Sequence, residues 1–431
     1  MEVPPSEGRS AGIPHDGERE TRALPSMRIA VFTHDTFGLG HVRRSLHIIR
    51  ALASRAPRAS ILLITGSPAL RALDGLPPNA DFVKIPTVVK TGSRGSQPPH
   101  LPVGALETTL IRRRLIRETV ASFSPDVLLV DNFPLGSQGE LLSALKEARR
   151  LGTRTVLGLR DILDEPEKIR KEWGRQDMYE TLERYYDRIL VYGMREVFDL
   201  ESAYGLPENI ASKLTYCGYV TSPSPDAVSP EKVREGLGIE GPFLLATGGG
   251  GGDGFPLLEV VAEAFSFLPD ISGVILTGPL MSSSHRGKLR SRLAGNSKVV
   301  VREYAADLQS CMAAADIVVS MCGYNTAAEI AAVRPRALVV PRTWRYGEHL
   351  NRTTASMEWE QLLRAQAFSR LGLVELLDPQ ALSPQTLAGR VIDALARPRP
   401  EAKPVLDLGG IEAATAEILS LAMKDSGRGE R

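Results

Sequence analysis

A chain of 431 residues with 43% hydrophobic and 24% charged side chains has the make-up of a globular protein. It is longer than one ordinary core organises, so two domains of comparable size are expected. With 52 Lys and Arg against 51 Asp and Glu, the formal charge is +1, which predicts no strong field for nucleic acid. Cys217, Cys311 and Cys322 are odd in number and lack the CxxC spacing of a metal site, and a reduced cytoplasmic setting is expected.

Residues 1–26 hold Pro, Gly, Ser, Arg and Glu with no apolar block. They offer neither a core face nor the apolar middle of a signal peptide, so a disordered tail is expected, with Met27 as an alternative start. No apolar run is long enough to span a bilayer, which leaves any membrane contact peripheral. Beyond the tail, short apolar β-branched blocks alternate with helical patterns. The blocks fall at 28–32, 60–65, 81–85, 126–130, 155–159 and 188–191, then at 242–247, 273–277, 298–301, 317–320 and 337–340. Such alternation predicts an α/β chain of two doubly wound, Rossmann-like parallel sheets. The Ser-Pro-rich stretch 223–231 reads as a hinge-like linker between a first domain at 27–222 and a second at 232–395. The segment 90–103, rich in Gly, Ser and Pro, reads as a mobile loop. Residues 396–431 hold a tail and an apolar helical stripe, Ile411, Ala414, Ile418, Leu419 and Met423, that packs back across the cleft.

In the first domain, Thr33-His34-Asp35-Thr36-Phe37-Gly38-Leu39-Gly40-His41 joins the first strand to an amphipathic helix. Gly38 and Gly40 let backbone approach a ligand at the carboxyl edge of the sheet, where ligands of open α/β folds bind. His41 opens the helix at that edge, and a neutral imidazole there can accept a proton near pH 7. GxGH alone equally suits a capping histidine with structural glycines. Asp131, closing the fourth block, is placed to orient His41 or to bind an acceptor, or else caps its own turn. No aromatic stripe for a polysaccharide and no basic apolar patch is legible in this domain.

The second domain opens with a strand running into Gly248-Gly249-Gly250-Gly251-Gly252-Asp253-Gly254 and then a helix. Consecutive glycines suit a flexible linker, but between a buried strand and a helix N-terminus they suit main-chain N–H groups closing around a diphosphate. The spacing is not that of an ATPase P-loop. After the block 317–320 come Gly323, Tyr324, Asn325 and Thr326, where a helix N-terminus again meets phosphate. Glu329 lies one turn further in, and its carboxylate can accept both hydroxyls of a ribose. Asn-x-x-x-Glu has the wrong spacing for a capping box. Glu348, His349 and Asn351 follow the last strand block and suit sugar hydroxyls.

In this order, these stretches resemble the C-terminal half of GT-B glycosyltransferases. The nearest family is glycosyltransferase family 28, which includes the lipid-linked N-acetylglucosaminyltransferase of peptidoglycan synthesis. The likeness covers roughly residues 27–395 and is strongest in the second domain. It implies two domains facing across a cleft, with a nucleotide-sugar donor chiefly on the second and the acceptor, a small molecule or lipid-linked, on the first. It further implies a diphosphate turn at 323–326, with Gly249, Gly250 and Gly251 nearby, Glu329 on the ribose, and Glu348 and His349 on the donor sugar. The loop ending at Tyr304 would read uracil through its backbone, and the donor would be a UDP-sugar. Three positions depart from the family pattern: Tyr324 stands where a small residue is usual, Arg334-Pro335 replaces Gly-x-Pro, and Glu348-His349 replaces a pair of glutamines.

The expected chemistry is proton removal from an acceptor hydroxyl by His41, or by a nearby carboxylate, as that oxygen attacks the anomeric carbon with inversion. Glycine backbone, helix N-termini and Arg43 or His349 would meet the leaving diphosphate. No Asp-x-Asp pair appears, so neither metal nor other cofactor is expected. Closure across the Ser-Pro linker would exclude water. Gly38-Leu39-Gly40-His41-Val42-Arg43-Arg44 also resembles the start of nucleotide-sugar hydrolases of the pseudaminic acid pathway, in which the histidine would activate water. A nucleotide-sugar-binding subunit without catalysis is the third alternative.

Overall fold

The computed structural model describes residues 27–34, 40–67, 75–90, 96–99, 101–175, 177–221, 227–250, 252–305, 307–342, 359–398 and 406–423. The expectations for the tail 1–26, Gly38, Gly251, Glu348, His349 and Asn351 lie outside the described residues.

The first domain contains β1 (Arg28–Thr33), β2 (Ser60–Thr65), β3 (Ala80–Lys84), β4 (Val89–Lys90), β5 (Ser96–Gln97), β6 (Val127–Asp131), β7 (Arg154–Arg160), β8 (Arg188–Tyr192) and β9 (Leu214–Tyr216). Seven of these form one parallel sheet, ordered β3-β2-β1-β6-β7-β8-β9. The second domain contains β10 (Phe243–Thr247), β11 (Ser272–Leu276), β12 (Val299–Arg302), β13 (Ile317–Ser320), β14 (Ala337–Val339) and β15 (Glu375–Leu376). These form a second parallel sheet, ordered β12-β11-β10-β13-β14-β15.

Each sheet reverses its winding once, between β1 and β6 and between β10 and β13, and the crevice at such a point receives ligands. The residues closing the paired strands there are Thr33 beside Asp131, and Thr247 beside Ser320. Central strands such as Val127–Asp131 and Phe243–Thr247 are buried along their whole length, because helices cover both faces. The expected doubly wound pair of domains is therefore the observed architecture.

All eleven expected strands are present, with ends shifted by about one residue. The sequence reading missed β9, β15 and the hairpin β4–β5. The first two are edge strands of three and two half-buried residues, too short to carry a periodic signal. The hairpin falls at the start of the stretch expected to be a loop, with Val89 opposite Gln97 and Lys90 opposite Ser96. At the end of the expected linker, Ser229 accepts a hydrogen bond from Lys232 N and starts the helix Pro230–Leu237.

The domains are bound by more than the linker. One apolar cluster runs from Val31, Leu46 and Leu129 through Tyr219 and Tyr324 to Val318 and Phe368. Tyr219 stacks on Tyr324 with centroids 5.8 Å apart and meets Phe368 edge-on at 5.7 Å. Beside these rings, Arg364 of the helix Glu360–Arg370 grips Asp161, which follows β7, at 2.6 and 2.9 Å, and both side chains are fully buried. Arg364 also donates to the Cys322 carbonyl at 2.9 Å and pairs with Glu360, while the Tyr219 hydroxyl donates to Asp161 at 3.0 Å. The last helix, Gly410–Met423, returns to the first domain and packs on the helix Gly40–Arg55 and on β6 and β7. Ile411, Ala414 and Ile418 are buried there, as expected, whereas Met423 is 61% exposed.

Candidate active site

The helix Gly40–Arg55 starts at the carboxyl edge of the first sheet, next to the winding reversal, and this brings His41 to the end of β6. His41 Nδ1 lies 3.0 Å from Asp131 Oδ2, so the two residues singled out from the sequence meet. Protonated on Nδ1, the ring donates to the carboxylate and leaves Nε2 as the free acceptor. Asp131 is 2% exposed and His41 is 21% exposed, so the carboxylate is enclosed while the ring keeps an open side.

Arg44, one helical turn beyond His41 and next to the half-exposed Arg43, is buried. Its Nη2 donates to Asp131 Oδ1 at 2.6 Å and lies 2.9 Å from His41 Nδ1. Its guanidinium sits over the rings of Tyr192 and Tyr324 at 5.2 and 5.1 Å, a cation–π sandwich that makes burial tolerable. Burial pushes the Asp131 carboxyl up, but Arg44 and His41 outweigh it and hold the group below the ordinary carboxylate range. Burial pushes the His41 imidazole below its ordinary value against the pull of Asp131, and Arg44 and Arg160 push the same way. The outcome is an ionised carboxylate orienting a neutral imidazole.

Three buried residues not singled out from the sequence neighbour this dyad. His34, just past β1, is buried against the edge of Phe133 at 5.0 Å, and burial pushes it down to about 3. Arg112 and Glu140 form a buried pair at 2.7 Å, and Arg112 also donates to the Pro86 carbonyl at 2.6 Å. The helix Ala105–Phe123 that carries Arg112 corrects the expectation of no basic apolar patch. It buries Thr108, Thr109 and Arg112 and turns Leu106, Leu110 and Leu115 to solvent, near exposed Arg114 and Arg117. The polar pair Arg112–Glu140 claims the inner face and displaces the leucines outward.

In the second domain the glycine run is a folded turn. Gly249 adopts φ +67°, and its N–H donates to Thr247 Oγ1 at 3.2 Å, while the Gly250 carbonyl accepts from Leu280 N at 3.4 Å. Gly248 and Gly254 touch backbone to backbone: a Cβ on Gly254 would come 2.6 Å from Gly248 Cα. Gly254→Ala is therefore expected to lower the free energy of unfolding by about 1–3 kcal/mol. Gly287→Ala, with open space around its Cβ position, should be neutral or slightly stabilising. Equal denaturation midpoints for the two variants would refute this close packing.

Across from the glycine turn, Gly323 caps the helix Tyr324–Val333 without any side-chain bond, so the N–H groups of Tyr324, Asn325 and Thr326 keep their anion-binding capacity. A Cβ built on Gly249 would lie 3.9 Å from Thr326 Oγ1, so the turn and the helix N-terminus are neighbours. Glu329 is 5% exposed. Its Oε1 accepts from Arg43 Nη2 at 3.1 Å, and its Oε2 is buried with no partner among the described residues. Burial holds this carboxyl above its ordinary value, and Arg43 draws it only part of the way back down. Tyr304 stands just past β12 at the same sheet edge and is 67% exposed.

The two sets of residues face one another. Asn325 Nδ2 donates to the Gly40 carbonyl at 3.2 Å, and Arg43 reaches Glu329. Tyr324, the departure noted in the sequence, supplies its ring to Arg44 and accepts Val220 N at 3.0 Å through its hydroxyl. The thiols of Cys217 and Cys322 are pushed up to about 12 by burial, which makes both unsuited to nucleophilic chemistry.

Residues 247–404 match the family described as Glycosyltransferase family 28 C-terminal domain. Among curated relatives, the chain is 32% identical over 173 residues to a Rubrobacter xylanophilus protein, covering 39% of this chain and 45% of that one. It is 25% identical over 240 residues to one from Methylorubrum extorquens, covering 54% and 58%. Both are named UDP-N-acetylglucosamine–N-acetylmuramyl-(pentapeptide) pyrophosphoryl-undecaprenol N-acetylglucosamine transferase. The matched stretches span about half the length of these relatives. Among solved structures, Acinetobacter baumannii MurG superposes with a TM-score of 0.56 at 12% identity, covering 91% of this chain and 99% of that one. A putative UDP-N-acetylglucosamine 2-epimerase from Listeria monocytogenes gives 0.59 at 13% identity, covering 94% and 98%. Residues 247–404, in the second domain, thus match the glycosyltransferase family 28 C-terminal domain, in a chain whose overall architecture is GT-B.

Proposed function

We propose that the protein is a glycosyltransferase that moves a sugar from a UDP-sugar to an acceptor hydroxyl with inversion and without a metal ion. The observation that carries this reading is Glu329: a buried carboxylate with one oxygen unpartnered among the described residues, in the second turn of a helix with an uncapped N-terminus and reached by Arg43 of the helix that carries His41. A carboxylate so placed suits the two hydroxyls of a ribose, and the N–H groups of Tyr324, Asn325 and Thr326 with the turn at Gly249 and Gly250 suit the diphosphate. Gly323 leaves that helix end open, and Tyr304 stands where the base would lie. Gly40 lets the catalytic helix come close enough to Asn325 for contact.

In the proposed step His41 Nε2 takes the proton of the acceptor hydroxyl while its oxygen forms a bond to the anomeric carbon. The bond from that carbon to the diphosphate oxygen breaks, and the nucleoside diphosphate leaves with the electron pair. Asp131 holds the imidazole in the required tautomer and stabilises the imidazolium that forms. Backbone N–H groups meet the leaving charge, so the reading routes no step through a metal. The names of the curated relatives favour an N-acetylglucosamine donor and a lipid-linked acceptor. The exposed Leu106 and Leu110, on the same side of the helix as Arg114 and Arg117, support the same acceptor class, since apolar side chains with basic neighbours suit an anionic lipid surface. Among the described residues no helix is long and apolar enough to cross a membrane. Peripheral contact from the cytoplasmic side fits this donor.

Calorimetric titration of the full chain with UDP-, dTDP- and GDP-sugars tests the donor. Binding of UDP-N-acetylglucosamine, weakened about tenfold in Glu329→Gln, is expected; failure to bind any uracil nucleotide would overturn the reading. Mass spectrometry then separates the chemistries. Free sugar released at the same rate with and without acceptor would reassign His41 to water activation, and binding without turnover would leave a binding subunit.

A further inference from the structure

Glu329 is already engaged, and by the opposite domain. Arg43, two residues after His41, extends from the helix Gly40–Arg55 to place Nη2 3.1 Å from Glu329 Oε1. The pair is asymmetric: the Arg43 side chain is 45% exposed and the Glu329 side chain 7%. The cation is thus free to move on its flexible stem, whereas the carboxylate is fixed in the helix Tyr324–Val333. Glu329 lies three residues beyond Thr326, about 4.5 Å along the helix axis from the uncapped first turn. A guanidinium leaving the carboxylate therefore needs only a short swing to reach an anion at that turn. Among the described residues, the glycine turn and the helix N-terminus themselves offer main-chain N–H groups, and the cation at the turn, Arg342, is paired with Asp253.

We propose that Arg43 is a cross-domain selector for nucleoside diphosphates: it neutralises Glu329 in the empty protein and transfers to the diphosphate when a ribose takes the carboxylate. This rests on the ribose reading of Glu329. A nucleoside without phosphates must break the Arg43–Glu329 pair and gives the guanidinium nothing in return. A nucleoside diphosphate replaces the lost pair with charge-assisted bonds to phosphate oxygens. Discrimination then arises from the cost imposed on the wrong ligand as well as from attraction to the right one. The same exchange moves a positive charge of the His41 helix toward the group that leaves, so occupancy of the second domain is felt by the helix that holds the base.

The test is titration of uridine and UDP into the full chain as wild type, Arg43→Met and Arg43→Lys. Wild type should prefer UDP strongly. Arg43→Met should bind UDP about tenfold more weakly and uridine as well as or better than wild type, so the preference for UDP falls at least tenfold. Arg43→Lys, which keeps a charge on a similar stem, should retain most of the preference. A side chain that served only to brace the cleft would weaken both ligands by one factor; that result, or an unchanged ratio, overturns the selector. If wild type binds neither uridine nor UDP, the ribose reading falls and the selector with it, whereas UDP binding with an unchanged ratio removes the selector alone.

Discussion

Replacing His41 with Ala is expected to lower turnover by about 10²- to 10⁴-fold, the usual contribution of a positioned general base. Donor affinity should hardly change, because the groups assigned to the ribose and to the main-chain diphosphate site sit on the second domain, and Arg43, the cation proposed for the diphosphate, is left in place. The pH profile offers an independent check. Burial, Arg44 and Arg160 hold the imidazole below its ordinary 6.5. A depressed value means that the neutral, proton-accepting form persists as the pH falls, and rate is lost only below 6.5. Asp131→Asn should also slow the reaction by lifting the constraint on the Nδ1 tautomer. Turnover of His41→Ala close to wild type, measured with saturating donor and acceptor, would place the base elsewhere.

Arg364→Met is expected to cost about 3–5 kcal/mol of stability, the penalty for stranding one member of a buried ion pair. Arg364 meets both oxygens of Asp161, the Cys322 carbonyl and Glu360, and its side chain has no exposure. Met fills a similar volume but leaves Asp161 with the Tyr219 hydroxyl as its remaining side-chain partner of the group around Arg364. Adding Asp161→Asn should recover part of the loss, because the uncompensated charge is then gone. The exposed pair Arg292–Glu259 supplies a control that should be almost silent. Denaturant unfolding of the four proteins decides it: if Arg364→Met is no worse than Arg292→Met, the junction is not secured by this pair.

The sheets were legible because parallel strands buried on both faces are runs of apolar residues, as in Val127–Asp131 and Ile317–Ser320. His41 and Asp131 were legible for a topological reason: both stand at strand ends beside a reversal of winding, and such ends converge. Arg44 was not. Among Arg43, Arg44, Arg50 and Arg55 it looks like one charge on a wet helix face, and Asp131, Tyr192 and Tyr324, which help to enclose it, are all distant in sequence. Arg364 and Asp161 are 203 positions apart, beyond the reach of any local pattern. The outward leucines of the helix Ala105–Phe123 were hidden likewise, since Arg112 turns inward to meet Glu140.

The return of the final helix to the first domain has a consequence for biogenesis. The surface formed by the helix Gly40–Arg55 with β6 and β7 is covered by a helix that follows the whole second sheet in the chain. While the ribosome is still making the second sheet, the nascent amino-terminal half carries an uncovered oily strip, and its maturation waits until the helix Gly410–Met423 has been made. A protein built in this way gains one cooperative body at the expense of early independence for its leading half.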